Sequence, residues 1–125
     1  MFGIDAVEIE RIKNAVEAES GERFLQKVWT ERERAYCSSD GSFRFESLAA
    51  RFAAKEAVAK ALGTGVRNFS LTDIEIMNDD LVCPSVLLYN NALARAEELN
   101  IERVCISLSH ISGVALAGAL LIKKQ

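Results

Sequence analysis

The chain has 125 residues, half of them apolar and 26% charged, which is enough for one globular domain with a buried core. A net charge of −3 excludes sequence-independent binding of nucleic acid, which needs clustered positive charge. The longest apolar stretch, Val114 to Ile122, is far shorter than the roughly 20 residues of a membrane-spanning helix, so no membrane association is expected.

Met1-Phe2-Gly3-Ile4-Asp5 lacks the basic region and apolar run of a secretory signal. Cys37, Cys83 and Cys105 are odd in number and form no Cys-x-x-Cys pair. That argues against a disulfide framework and a zinc ribbon and for free thiols in a reducing cytoplasm. Charge is uneven: residues 11 to 67 carry net +3 and the remainder net −6. Either these are solvated helix faces, or the basic part meets an acidic partner.

In chain order, Met1 to Ile4 is expected as a short strand. Ile9, Ile12 and Val16 recur at helical spacing among charged residues, which predicts an amphipathic helix. Ser20-Gly21 breaks it, and Phe24, Leu25, Val28 and Trp29 suggest a second helical piece. Thr30-Glu31-Arg32-Glu33 matches a capping box, so a third short helix starts there and ends near the loop Ser38 to Ser42. Residues 47 to 62 hold seven alanines, the best helix former, and Gly63 with Gly65 supplies the stop. The period then falls to two. Leu71, Ile74 and Ile76 predict a strand, Asn78-Asp79-Asp80 a turn, and Val86 to Tyr89 another strand. Asn91 to Leu99 is expected to be a helix and Val104 to Ser109 a half-buried strand. His110 to Gly113 is expected as a loop and Val114 to Ile122 as a strand buried on both faces. Helices first and mostly antiparallel strands later indicate an α+β fold in one domain, residues 1–125.

The helix 47–62 has no purely polar face. Arg51 and Lys55 fall within its arc of large apolar residues, and Glu56 and Lys60 lie at its edge. Buried charges are costly unless paired or bound to a ligand or metal. Two readings follow: a Glu56–Lys60 i,i+4 pair with Arg51 and Lys55 snorkelling to solvent, or a carboxylate and cations presented to a polar ligand. Asp5 is an N-cap completed by Glu8, or a metal ligand at a strand end. His110, the single histidine, is structural or catalytic. Ser109 and Ser112 lack a Gly-x-Ser-x-Gly elbow, and Gly63-Thr64-Gly65 is too short for a Walker loop.

Three segments together resemble a known family. Gly3-Ile4-Asp5-Ala6-Val7-Glu8-Ile9-Glu10-Arg11-Ile12 is similar to a Gly-x-Asp-Ile-x-Glu-Ile-x-Arg-Ile start. Arg51-Phe52-Ala53-Ala54-Lys55-Glu56-Ala57-Val58-Ala59-Lys60-Ala61-Leu62-Gly63-Thr64-Gly65 is the most specific block, and Ser107-Leu108-Ser109-His110 resembles a Ser-x-Ser/Thr-His motif. Order, spacing and length resemble the small bacterial 4′-phosphopantetheinyl transferases, the holo-acyl-carrier-protein synthases.

The resemblance implies a long central helix on a mostly antiparallel sheet. It implies transfer of 4′-phosphopantetheine from coenzyme A to a serine of apo acyl carrier protein, with release of adenosine 3′,5′-bisphosphate. It also implies a magnesium requirement and a homotrimer with active sites between protomers. Asp5 and Glu56 match metal-binding positions, and carboxylates with phosphate oxygens and water suit magnesium. Lys60 matches a lysine near the diphosphate, and Glu56 and Lys60 are the expected catalytic pair. His110 and Arg51 match the 3′-phosphoadenosine end of coenzyme A, Gly63 a close backbone approach to it, and Arg11 the docking site of the acidic carrier. The chain departs from the pattern at Val82-Cys83-Pro84, where a Gly-x-Pro turn is usual, and at Ile111-Ser112-Gly113-Val114. The rival expectation is a non-catalytic, oligomeric coenzyme A or nucleotide-binding module.

Overall fold

The structure, a computed structural model, describes residues 1–63, 68–78 and 84–125. The expected turn at Asp79-Asp80, the Val82-Cys83 departure, Thr64, Gly65 and Cys83 lie outside the described residues.

Strand β1 (Phe2–Glu8) leads directly into helix α1 (Ile9–Glu17), followed by α2 (Gly21–Val28) and α3 (Glu31–Tyr36). The capping box at Thr30 forms as expected. The Glu33 backbone N–H donates to Thr30 Oγ1 at 3.2 Å, and the Thr30 N–H donates to Glu33 Oε1 at 2.8 Å. The expected loop 38–42 is a small hairpin of β2 (Ser38–Ser39) and β3 (Ser42–Phe43), turned by Asp40 and Gly41 at positive φ.

Helix α4 (Phe45–Ala61) is the long helix expected at 47–62. Gly63 ends it at φ +83°, a left-handed conformation that glycine adopts without steric cost. A turn at Leu71–Asp73 leads into β4 (Ile74–Asn78), β5 (Pro84–Leu88), α5 (Asn90–Glu98), β6 (Ile101–Ile111) and β7 (Val114–Lys123). Ser112 and Gly113, both at positive φ, make the two-residue β6–β7 turn that suits strand twist.

All strand pairs are antiparallel: β1-β7-β6 form one sheet, and β4-β5 and β2-β3 form two-stranded sheets. The α+β expectation holds. Helix α4 lies across the inner face of the main sheet, and its alanines, with Ala115, Ala117, Ala119 and Leu121 of β7, fill the core. Among the described residues no helix is long and apolar enough to cross a membrane.

Three expectations are corrected. His110 is not in a loop but inside β6, opposite Ala115, because the turn needs only two residues. Asp5 is not an N-cap. It lies within β1 opposite Ala117, and Glu8 occupies the cap position without a side-chain bond. Strand β7 is buried on one face only. On the other face Leu120 is 46% exposed, since among the described residues no element covers that side of the sheet.

Candidate active site

Gly3 allows β1 to lie directly on α4. A Cβ there would come within 2.0 Å of the Ala57 carbonyl oxygen. Two residues later on the same strand face, Asp5 therefore meets the exposed end of the helix. Lys60 Nζ donates to Asp5 Oδ1 at 2.8 Å and to the Ile4 carbonyl at 3.1 Å. This bond to Asp5 raises the Lys60 pKa above the usual lysine value.

Glu56, one turn before Lys60, is half-buried. Burial and then the charge of Asp5 push its carboxyl above the ordinary glutamate range, while Lys60 and Arg11 pull it back. The expected Glu56–Lys60 pair is thus replaced by Lys60–Asp5. Four residues from three elements, Asp5, Arg11, Glu56 and Lys60, share one electrostatic site. The Asp5 charge raises the cost of ionising Glu56, and two neighbouring carboxylates, a hard oxygen donor set, suit a small divalent cation. Among the described residues no group of three or more His, Cys, Asp or Glu side chains converges.

The two other cations of α4 do not snorkel. Lys55 is fully buried and pairs with Glu33 at 2.5 Å. It donates to the carbonyls of Ile74 at 2.6 Å and Leu71 at 3.0 Å, and Glu33 also accepts from the Ile76 N–H at 2.8 Å. Burial lowers the Lys55 pKa, and the Glu33 charge opposes that. The pair locks α3 and α4 to β4, so it is structural. The capping motif alone did not reveal that Glu33 is its counter-ion.

Arg51, also buried, donates from Nη2 to Asn78 Oδ1 at 2.6 Å and stacks 4.2 Å from the Tyr36 ring centre. Its Nε is buried, with no hydrogen-bond partner among the described residues. Arg44, which sequence reasoning did not single out, lies 5.1 Å from the same ring. Burial pushes the neighbouring Cys37 thiol up, against the pull of Arg51 and Arg44. His110 occupies the same sheet face as Asp5 by register, exposed and on the edge strand β6. It is two strands, about 10 Å, across from β1. Ser107 and Ser109 pair with Gly118 and Leu116 on the opposite face. Within one chain the expected site residues therefore divide: Asp5, Glu56, Lys60 and Arg11 lie together, the Gly63 N–H donates to the Lys60 carbonyl at 3.0 Å at the end of the same helix, and Arg51 and His110 are set apart.

A family model described as the 4′-phosphopantetheinyl transferase superfamily matches residues 1–113. The chain belongs to this superfamily. Holo-acyl-carrier-protein synthase of Clostridium tetani is 45% identical over 120 residues, covering 96% of this chain and 93% of that protein. The synthase of Caldicellulosiruptor saccharolyticus is 46% identical over 124 residues, covering 99% and 97%. The crystal structure of the Helicobacter pylori synthase in complex with coenzyme A superimposes with a TM-score of 0.84 at 31% identity, covering 97% of this chain and 99% of that one. As a phosphopantetheinyl transferase the chain is an enzyme, which sets aside the non-catalytic binding module.

Proposed function

We propose that the Asp5–Glu56–Lys60 cluster is where this transferase moves 4′-phosphopantetheine from coenzyme A to a serine of apo acyl carrier protein, releasing adenosine 3′,5′-bisphosphate. The observation that carries the reading is the meeting of Asp5 on β1 with Lys60 and Glu56 on α4. Asp5 and Glu56 are the residues that would hold magnesium. When bound, magnesium supplies charge neutralisation at the diphosphate.

Lys60, more than half exposed, offers a fixed ammonium to the diphosphate and stabilises charge on the leaving phosphate. Glu56 takes the proton of the carrier serine, directly or through a water it holds. A carboxyl raised by burial is a better base near neutral pH than an ordinary one. Arg11, exposed on α1 beside this site, is the docking cation for the acidic carrier. His110 and Arg51 serve the 3′-phosphoadenosine end, and the Gly63 backbone meets the cofactor between the two ends.

The outer face of the main sheet supports a homotrimer with sites between protomers. Phe2 is 64% and Ile4 58% exposed, beside Leu120, an apolar surface that the described residues of one chain leave uncovered. Free Cys37 and Cys105 fit the reducing cytoplasm. The test is transfer itself: apo carrier incubated with the protein, coenzyme A and magnesium gains the mass of phosphopantetheine. An unmodified carrier in the presence of folded protein overturns the reading.

A further inference from the structure

Helix α5 holds the chain that leaves α4. Arg95 Nε donates to the Leu62 carbonyl at 3.0 Å, one of the carbonyls a helix end leaves without a partner. Its Nη2 lies 3.5 Å from where a Cβ on Gly63 would stand. Its Nη1 is 3.4 Å from Glu98 Oε1 on the same helix, which orients the guanidinium. One turn earlier on α5, Asn91 Nδ2 donates to the Asn68 carbonyl at 2.8 Å.

Residues four apart share a helix face, so a single face of α5 grips the chain on both sides of residues 64–67. The helix is itself anchored. Ala92 and Ala96 are buried, Asn90 Nδ2 donates to Asp73 Oδ1 at 2.9 Å, and the Tyr89 N–H donates to the Asp73 carbonyl at 2.8 Å. Asn91 is exposed and Arg95 only partly buried, so neither is needed to fill the core. Their specific bonds are to the backbone on either side of that connection.

We infer that Asn91 and Arg95 are positioning residues for the cofactor: by pinning Leu62 and Asn68 they set where the Gly63 backbone meets coenzyme A. The inference rests on the reading of Gly63 given above. Asn91 and Arg95 make no bond to Asp5, Glu56 or Lys60, so their contribution falls on coenzyme A binding and not on the chemical step.

The experiment uses the full chain as wild type, Asn91→Ala, Arg95→Gln and Arg95→Lys. Coenzyme A binding is measured by calorimetry, and KM for coenzyme A, KM for apo carrier and kcat by transfer. Asn91→Ala and Arg95→Gln are each expected to raise Kd and KM for coenzyme A about five- to ten-fold, as loss of a positioned hydrogen bond does. Carrier KM and kcat should stay within about two-fold. Arg95→Lys, which still reaches the Leu62 carbonyl with a cation, should recover most of the loss. A purely structural role would lower the melting temperature without separating the two KM values. Unchanged coenzyme A affinity in both variants, parallel rises in both KM values, or no recovery by Arg95→Lys overturns the inference. Should Arg95→Gln fail to fold, Asn91→Ala carries the same measurement at an exposed side chain. A wild type that does not bind coenzyme A overturns the functional reading instead.

Discussion

Lys55 is sealed inside the fold on Glu33, whereas Glu56, the next residue, keeps its carboxyl on the rim beside Asp5. The two positions should respond oppositely to mutation. Lys55→Met leaves the Glu33 carboxylate buried without its cation and is expected to cost about 3–5 kcal/mol of stability, read by denaturant unfolding. Glu56→Gln should unfold at nearly the wild-type midpoint while kcat falls at least about 100-fold. A stable Lys55→Met protein would contradict the structural assignment of that pair. Glu75 gives a pH signature of another kind. Burial pushes its carboxyl up, but bonds from Thr30 (2.5 Å), Arg32 (2.7 Å) and Tyr89 (2.8 Å) outweigh burial and hold it below the usual glutamate range. A depressed folded pKa stabilises above the unfolded value and is lost as pH falls through the folded one. The melting temperature should therefore drop on acidification below about pH 4.5, and Glu75→Gln should lessen that drop.

At the scale of elements, the approach of β1 to α4 sets the site. A Cβ on Gly3 would also meet the Ala61 nitrogen at 2.9 Å, and backbone cannot yield as a flexible side chain can. Gly3→Ala should push the strand off the helix and cost about 1–3 kcal/mol. It should also lower the turnover of the folded fraction, because Asp5 moves with its strand away from Lys60. Unfolding curves and turnover corrected for folded fraction check this, and wild-type values for both would refute it. The same closeness explains the composition of α4. Seven alanines between 47 and 62 let β1, β7, β6 and α1 approach the helix closely, so it shows no apolar stripe to read. Its existence was legible from propensity, and its burial all round from the missing polar face. The partners of its charges were not, because Glu33 and Asp5 come from distant parts of the chain.

For the whole molecule, the uncovered sheet face is the largest discrepancy between one chain and a finished surface. Rows such as Phe2–Leu120–Cys105 and Ile4–Gly118–Ser107 cross all three strands and leave apolar side chains facing outward. Sedimentation should give a particle near three times the 13.8 kDa of one chain. Ile4→Glu combined with Leu120→Glu should yield monomers with intact secondary structure and much weaker transfer. A wild-type monomer at micromolar concentration would sink the trimer. His110, two strands from Asp5, gains a role at a shared cleft only if such an assembly forms.

Local chemistry fixed much of this protein in the sequence itself. Alanine propensity set α4, Thr30-x-x-Glu33 the start of α3, alternation the strands, and the motif residues the family. Those signals act within a few residues, where backbone sterics and hydrogen bonding decide. The tertiary structure alone decided that Asp5 sits inside a strand and meets Lys60, and that Lys55 belongs to Glu33. It alone decided that His110 stands in a ladder and that one face of β7 is bare. Each of these depends on which distant surfaces bury one another, and a charge or an apolar side chain does not name its partner along the chain.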